Sequence, residues 1–71
     1  MFKIDLKGPD GNAYALMAYA KSFGKQIGMS KEIVDKIIDK MTSSDYNNLL
    51  LVFEDYFGNV CELINKPKEI E

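Results

Sequence analysis

The side chains that could carry out acid–base or nucleophilic chemistry in this chain are few. The 71 residues include no histidine and one cysteine, Cys61, so a general acid or base would have to be a carboxylate, a lysine, a tyrosine or that thiol. Nothing in the spacing places a second group beside any of these to activate it. Cys61 lies in an apolar strand pattern, where a free cysteine is usually a small core residue. We therefore predict that the protein is not an enzyme, and that it has no catalytic residues, no metal site and no cofactor.

The stretch from Gly8 to Asn12 contains the densest turn chemistry of the chain, and the apolar period of a helix starts directly after it. Asn12, or with less support Asp10, is suited to cap the first free amides of that helix. A glycine-bearing loop that leads into a helix also directs amides and the positive end of the helix dipole at one place, which suits a nucleotide or another anion. The candidate anion-binding residues are Gly11, Asn12 and Ala13. The spacing matches neither the P-loop nor the dinucleotide fingerprint, and Asp10 would repel an anion, so a purely structural turn is the favoured interpretation.

One side of the same helix presents a tyrosine and two lysines over small side chains. The residues at helical spacing on this side are Tyr14, Ala18, Lys21 and Lys25. Tyrosine offers rigid contact area and alanine permits close approach, so this stripe is the candidate surface for a protein partner. The alternative, a solvated face of good helix-forming residues, is favoured by about two to one.

Leu51 breaks the pattern of its own helix. It points away from the apolar face of that helix, and Val52 lies on the flank. The apolar face consists of Tyr46, Leu49, Leu50, Phe53, Tyr56 and Phe57. We expect an oligomer interface at Leu51 and Val52, with burial under the tail or a loop as an equally weighted alternative.

Composition narrows the class of protein. The chain is 46% apolar and 28% charged, which is ordinary for a folded soluble domain. A domain this short buries only about 60% of its unfolded surface, so a homo-oligomer such as a dimer is expected. The net charge is −2 and all nine basic residues are lysine, so the bidentate arginine fork that reads phosphates and guanine is absent. We therefore do not expect binding to double-stranded nucleic acid.

The pattern of apolar residues also bears on location. No apolar run approaches the roughly 20 residues that span a bilayer, and the first residues alternate as in a strand rather than as in a signal peptide. A single cysteine suits a reducing interior. We expect a cytoplasmic protein that does not interact with a membrane.

Turn and cap signals divide the chain into a strand, three helices and a strand. We predict strands over residues 2–7 and 59–64 and helices over residues 13–27, 31–41 and 45–57. Residues 1–65 are expected to form a single α+β domain with a two-stranded sheet, which oligomerisation could extend, and residues 66–71 a flexible, poorly ordered tail. If neighbouring elements run up and down, the strands are parallel, although the pattern leaves their orientation open.

The apolar pattern also predicts which side of each element faces the core. The first strand should bury Phe2, Ile4 and Leu6, and the last should be covered on both faces. The first helix should bury Ala13, Leu16, Met17, Ala20, Phe23 and Ile27. Gly28 should end this helix, Ser30 should cap the second, and Gly58 should end the third in the left-handed conformation.

The chain resembles a group of small uncharacterised proteins encoded by tailed phages and prophages. The resemblance rests on the run Lys7-Gly8-Pro9-Asp10-Gly11-Asn12-Ala13, on the alanine-rich helix that follows, and on Ser44-Asp45-Tyr46 with Asn48-Leu49-Leu50. It covers most of the chain and implies a phage setting, but it supplies neither an activity nor site residues.

Three classes of function are consistent with these features. The leading expectation is a non-enzymatic protein that binds a host or phage protein as an inhibitor or adaptor in the host cytoplasm. The second is an oligomeric module that sequesters a nucleotide or another anion at the turn before the first helix. The third is a weak single-strand nucleic-acid binder that uses tyrosines and lysines, which the negative net charge disfavours.

Overall fold

The chain folds as one α+β domain, as the sequence predicts. The computed structural model describes residues 1–71. The elements are β1 (Phe2–Asp5), α1 (Ala13–Gln26), α2 (Lys31–Met41), α3 (Tyr46–Phe57) and β2 (Cys61–Ile64), followed by a short 3-10 helix (Lys68–Ile70).

Each helix begins at a side chain that accepts a hydrogen bond from a free backbone amide of the first turn. The oxygens of Asn12 and Asp45 accept from the amides of Ala15 and Asn48, both at 2.9 Å. The Ser30 hydroxyl accepts from the Ile33 amide at 3.3 Å. These caps satisfy donors that the helix itself leaves unpaired, which explains why the helices start where the sequence signals them.

The two glycines that follow α1 and α3 differ in conformation. Gly28 has a φ of 86°, the left-handed value that favours glycine. Gly58 has a φ of −59° and continues the right-handed helical conformation, so the prediction of a left-handed cap is wrong there. A Cβ at Gly58 would lie 2.6 Å from the Glu54 carbonyl oxygen, and close backbone approach therefore explains the glycine.

The two strands run parallel, as an up-and-down arrangement of the intervening helices requires. The register pairs Phe2 with Cys61, Lys3 with Glu62, Ile4 with Leu63 and Asp5 with Ile64. One further bond, from the Leu6 amide to the Ile64 carbonyl at 2.9 Å, closes the end of the ladder. The sheet contains only these two strands, and each strand has one free edge.

The three helices pack on one face of the sheet around an aromatic cluster. Phe53 and Phe57 are fully buried with ring centroids 5.3 Å apart, and Phe23 of α1 lies 6.3 and 6.2 Å from them. Ile4 from β1 and Leu63 from β2 complete this core on the side of the sheet. The core therefore joins all five main elements.

Four apolar residues that the patterns place on core faces are more exposed than expected, including Ile33, which helical spacing places with Val34 and Ile37 but which exposes 48% of its surface. Phe2 and Ile27 expose 46% and 47% of their surface, because Phe2 opens the strand and Ile27 follows the last residue of α1. In β2, Cys61 and Leu63 are buried while Ile64 on the other face is half-buried. The helices cover only one face of β2 in full.

The polar tail folds back onto the domain, and its flexibility stays a prediction. Ile70 of the short 3-10 helix packs against the core. Before it, the Lys66 ammonium lies 2.6 Å from the Glu54 carboxylate of α3. One apolar anchor and one half-buried ion pair account for this position.

Candidate functional site

The stripe Tyr14, Ala18, Lys21 and Lys25, hereafter the first-helix face, lies on the solvent side of α1. All four residues are exposed, and Tyr14 exposes 82% of its surface. The domain contains two ion pairs, and neither involves Lys21 or Lys25. The structure thus presents a tyrosine and two unpaired ammonium groups on one helix.

The opposite side of α1 fixes this face rigidly to the rest of the domain. Leu16, Ala20 and Phe23 are buried in the core. Gly24 lets α2 approach closely, since a Cβ there would lie 2.6 Å from the Val34 side chain. The first-helix face is therefore carried by a helix whose orientation is set by packing.

A cleft of about 360 Å³ extends the first-helix face toward α2. Its lining residues are Lys21, Lys25, Met29, Lys31, Val34 and Asp35. Met29 and Val34 supply apolar surface, while the lysines surround it with positive charge. The cleft contains one carboxylate, that of Asp35. Lys31 donates a hydrogen bond to it at 3.0 Å, so this carboxylate is already paired.

The sequence interpretation assigned no role to Met29 and Lys31. Both follow Gly28, whose left-handed φ reverses the chain and brings the start of α2 beside the end of α1. The sequence does contain one indication of this proximity, because a short connection between two helices makes them antiparallel neighbours. The end of the first helix, with Lys25, and the start of the second, with Lys31, are then expected at the same end of the pair.

The predicted anion site at Gly11, Asn12 and Ala13 has few free donors. The Gly11 amide donates to the Gly8 carbonyl at 3.1 Å, and the Asn12 side chain accepts from Ala15. The amides of Ala13 and Tyr14 are those that α1 does not pair within itself. Anion binding there stays a prediction.

Asp10 occupies the space beside this helix start. Its carboxylate accepts a hydrogen bond from the Tyr19 hydroxyl at 2.9 Å, and this contact raises the pKa of Tyr19 above its ordinary value of 10.0. The Asn12 amide nitrogen donates to the Pro9 carbonyl at 2.9 Å. The polar groups of the turn thus hold the turn together, and the negative charge of Asp10 lies beside the start of α1.

Leu51 and Val52, with Glu54 and Asp55, form the third-helix face. Leu51 exposes 50% of its surface and Val52 is partly buried, so neither the tail nor a loop buries Leu51. These four residues line a shallow, open depression. An interface at Leu51 and Val52 stays a prediction, now on an acidic surface.

Two groups with nucleophilic or acid–base potential, the Cys61 thiol and the Tyr46 hydroxyl, are held away from solvent. Cys61 is 2% exposed, and burial raises the pKa of its thiol above the ordinary value of 9.0. Burial also raises the pKa of Tyr46, whose hydroxyl has no hydrogen-bond partner. Neither residue has a neighbouring base among its hydrogen-bond partners, so neither is placed for activation.

Comparisons with known proteins return no match for this chain. No protein-family model, no curated protein and no solved structure is significantly similar to it. None of its helices is long and apolar enough to cross a membrane. No three carboxylate or thiol groups lie together in a way that would hold a metal ion.

Proposed function

We propose that this protein is a small, non-enzymatic interaction protein that binds an acidic surface of a host or phage protein through its first-helix face. It acts stoichiometrically, as an inhibitor or an adaptor, in the cytoplasm of a phage-infected bacterium. The observation that carries the proposal is the exposure of Tyr14, at 82%, on the same helix side as two lysines without ion-pair partners.

The residues of the first-helix face suit a partner that is acidic and that presents an apolar side chain. A tyrosine presents large, rigid contact area at low entropic cost, which is why it is enriched among residues that dominate binding energy. Beside it, the cleft between α1 and α2 offers apolar surface from Met29 and Val34 inside a rim of lysines. An apolar side chain of the partner would enter the cleft while neighbouring carboxylates meet Lys21, Lys25 and Lys31.

The distribution of charge adds to this argument. The chain has a net charge of −2, yet Lys21, Lys25 and Lys31 converge on one cleft that contains a single carboxylate. A local positive potential on an acidic protein speeds encounters with an acidic partner and disfavours basic ones. Association should therefore slow as salt concentration rises.

The test is the double variant Tyr14→Ala with Lys21→Glu. Tagged wild-type protein is used to capture a partner from host cells, and the purified partner is then titrated calorimetrically with both proteins. We expect the variant to lose about 2–3 kcal/mol of binding free energy, because an anchoring tyrosine and a favourable charge are removed together. Its free energy of unfolding should change by no more than about 0.5 kcal/mol, since both side chains are exposed.

A matched control lies on α2. Ile33→Ala with Lys36→Glu also removes one exposed apolar side chain and reverses one exposed lysine, but away from the first-helix face. This control should bind like the wild type. Equal affinity of the Tyr14 variant and the wild type would disprove the assigned surface, and substoichiometric turnover of a substrate by the pure protein would disprove the whole proposal.

A further inference from the structure

The free edge of β1 carries backbone groups that point outward and could pair with another strand. The Leu6 amide donates to β2, so by the alternation of a strand the amides of Lys3 and Asp5 point to the other side, away from β2. The Asp5 carbonyl accepts from the Gly8 amide at 3.0 Å and keeps a second lone pair. No other strand covers this edge.

The side chains along this edge are complementary to themselves. Phe2-Lys3-Ile4-Asp5-Leu6 places one positive and one negative charge symmetrically about Ile4. In an antiparallel pair of two such strands centred on Ile4, each Lys3 lies opposite the Asp5 of the other copy. Phe2 then lies opposite Leu6. Within its own chain the Asp5 carboxylate accepts from Asn65 and from the Lys7 amide through Oδ1, and its Oδ2 is left for the second copy.

We propose that β1 pairs antiparallel with β1 of a second copy, with Lys3 of each copy opposite Asp5 of the other, to form a two-fold dimer with a continuous four-stranded sheet. The same alignment makes Lys3 and Asp5 a hydrogen-bonded pair, because their backbone groups are the ones that face outward. Backbone geometry and side-chain charge thus select the same register.

Neighbouring registers that keep the core on one side of the sheet are disfavoured. Centring the pair on Lys3 places Lys3 opposite itself, and centring it on Asp5 does the same for Asp5. Like charges directly opposite each other destabilise a strand pair. A lysine on an edge normally prevents strand addition, but the aspartate two residues later reverses that effect for this one partner.

The free edge of β2 lacks this complementarity. Glu62 is the only charged residue of β2. Centring an antiparallel pair on it would place Glu62 opposite its own copy, and shifting the register would place it opposite an apolar residue. The second edge therefore gives no self-complementary pairing, and the assembly stops at two copies.

Exposed apolar surface beside β1 would be covered by the second copy. Met1 and Phe2 expose 77% and 46% of their surface, the former being the most exposed large aliphatic residue of the chain. The ring of Phe2 already contacts Tyr19 at a centroid distance of 5.3 Å, so it is held in place before association.

The test uses charge reversal and mixing, measured by sedimentation over a concentration series that reaches the millimolar range. Wild-type protein should approach twice its chain mass of 8.1 kDa. Lys3→Glu and Asp5→Lys should each raise the dimer dissociation constant about tenfold, because two symmetric pairs turn from attraction to repulsion. A mixture of these two variants should dimerise again, since each copy then supplies the charge that the other needs.

A second variant separates the interface from the fold. Lys3 is also paired in register with Glu62 of its own chain, so Lys3→Glu changes that contact too. Lys3→Glu with Glu62→Lys restores opposite charges within the chain and keeps the repulsion from Asp5 of the other copy. This double variant should melt like the wild type and stay monomeric.

Hydrogen exchange locates the contact independently of mass. The amides of Lys3 and Asp5 should become protected as protein concentration rises, and protection of the Leu6 amide should not depend on concentration. A monomeric wild type, a mixture that does not dimerise although both variants fold, or growth beyond two copies would each overturn the inference. None of these results depends on the first-helix face or on a partner protein.

Discussion

The first-helix face and the third-helix face each expose one large side chain, but their surroundings have opposite charge. Tyr14, 82% exposed, shares its face with Lys21 and Lys25, whereas Leu51, 50% exposed, lies beside the unpaired Asp55 and beside Glu54, which is paired with Lys66. The two faces therefore favour different partners. The partner that we propose for the first-helix face is acidic, while the third-helix face suits an apolar or basic surface.

The two helices also differ in how they are held. The turn from Gly8 to Asn12, with Asp10 bonded to Tyr19, fixes the start of α1. Both helices are also packed against the core, α1 through Phe23 and α3 through the fully enclosed Phe53 and Phe57. A backbone change in the turn should therefore affect mainly the first-helix face, whereas a change in core packing should affect both faces.

The largest effect is expected from Gly11→Ala. A Cβ at Gly11 would lie 1.9 Å from the Leu6 carbonyl oxygen, a backbone atom that cannot move aside without shifting the strand end. We expect a loss of about 3 kcal/mol in the free energy of unfolding, at the upper end of the cost of overpacking. Urea denaturation measures it.

Gly8→Ala is the matched control for this change. A Cβ at Gly8 has its closest contact at 3.3 Å, so only a small local adjustment is needed. Its free energy of unfolding should stay within about 0.5 kcal/mol of the wild type. If the two alanine variants are equally stable, close approach is not the reason for glycine at position 11.

The next effect contrasts two neighbouring leucines of α3. Leu50 is fully buried and Leu51 is half exposed, so Leu50→Ala should cost about 3 kcal/mol and Leu51→Ala less than about 1 kcal/mol. Denaturation curves of both variants give the comparison. Similar losses would mean that Leu51 is covered in solution, as self-association through the third-helix face would require.

Leu51→Glu distinguishes the two routes to self-association. If the third-helix face forms the interface, this change should reduce the mass measured by light scattering. If β1 pairs with β1, the mass should stay that of the dimer. For Lys3→Glu the expectations are exchanged: the mass should fall if β1 pairs with β1, and it should stay that of the dimer if the third-helix face forms the interface.

Sequence patterns predicted the elements of this fold because caps and apolar periods are local. Asn12, Ser30 and Asp45 are recognisable before a helical period, and the predicted bounds of α2 agree with the structure. The parallel sheet agrees with simple alternation of neighbours. Local rules were therefore sufficient for the order and type of the elements, whereas the orientation of the strands, which the patterns leave open, comes from the structure.

Tertiary contacts account for what the patterns missed. Gly58 resembles a left-handed cap in sequence, but its backbone stays right-handed and only its distance from the Glu54 carbonyl explains it. The lysine-rimmed cleft needs Lys25 and Lys31 from two helices, and no period within one helix shows that pairing. The tail position depends on Lys66 meeting Glu54, twelve residues earlier.

The smallest effect concerns a polar link at the turn before α1, whose counterpart at the third-helix face is the Lys66–Glu54 ion pair. The Asp5 carboxylate accepts from the Asn65 side chain at 2.8 Å and from the Lys7 amide at 2.9 Å, and so joins the strand end before the turn to the residue after β2. The Asn65 bond first, and the Lys7 amide second, lower the pKa of Asp5 below its ordinary value of 3.8. A lowered pKa means that the folded state favours the carboxylate, so this stabilisation is present above 3.8 and is lost as the pH falls through the lowered pKa.

Asn65→Gly should remove the main cause of that shift while keeping the backbone unstrained, because Asn65 has a φ of 61° that glycine adopts freely. We expect the pKa of Asp5, followed through its carboxyl carbon by NMR, to move back toward 3.8, and stability to depend less steeply on pH below that value. The titration is made at low protein concentration, so that Lys3 of a second copy cannot hold the carboxylate in its charged form. An unchanged pKa in the variant would show that the Lys7 amide alone holds the carboxylate, and the link between the turn and β2 would then have no electrostatic role.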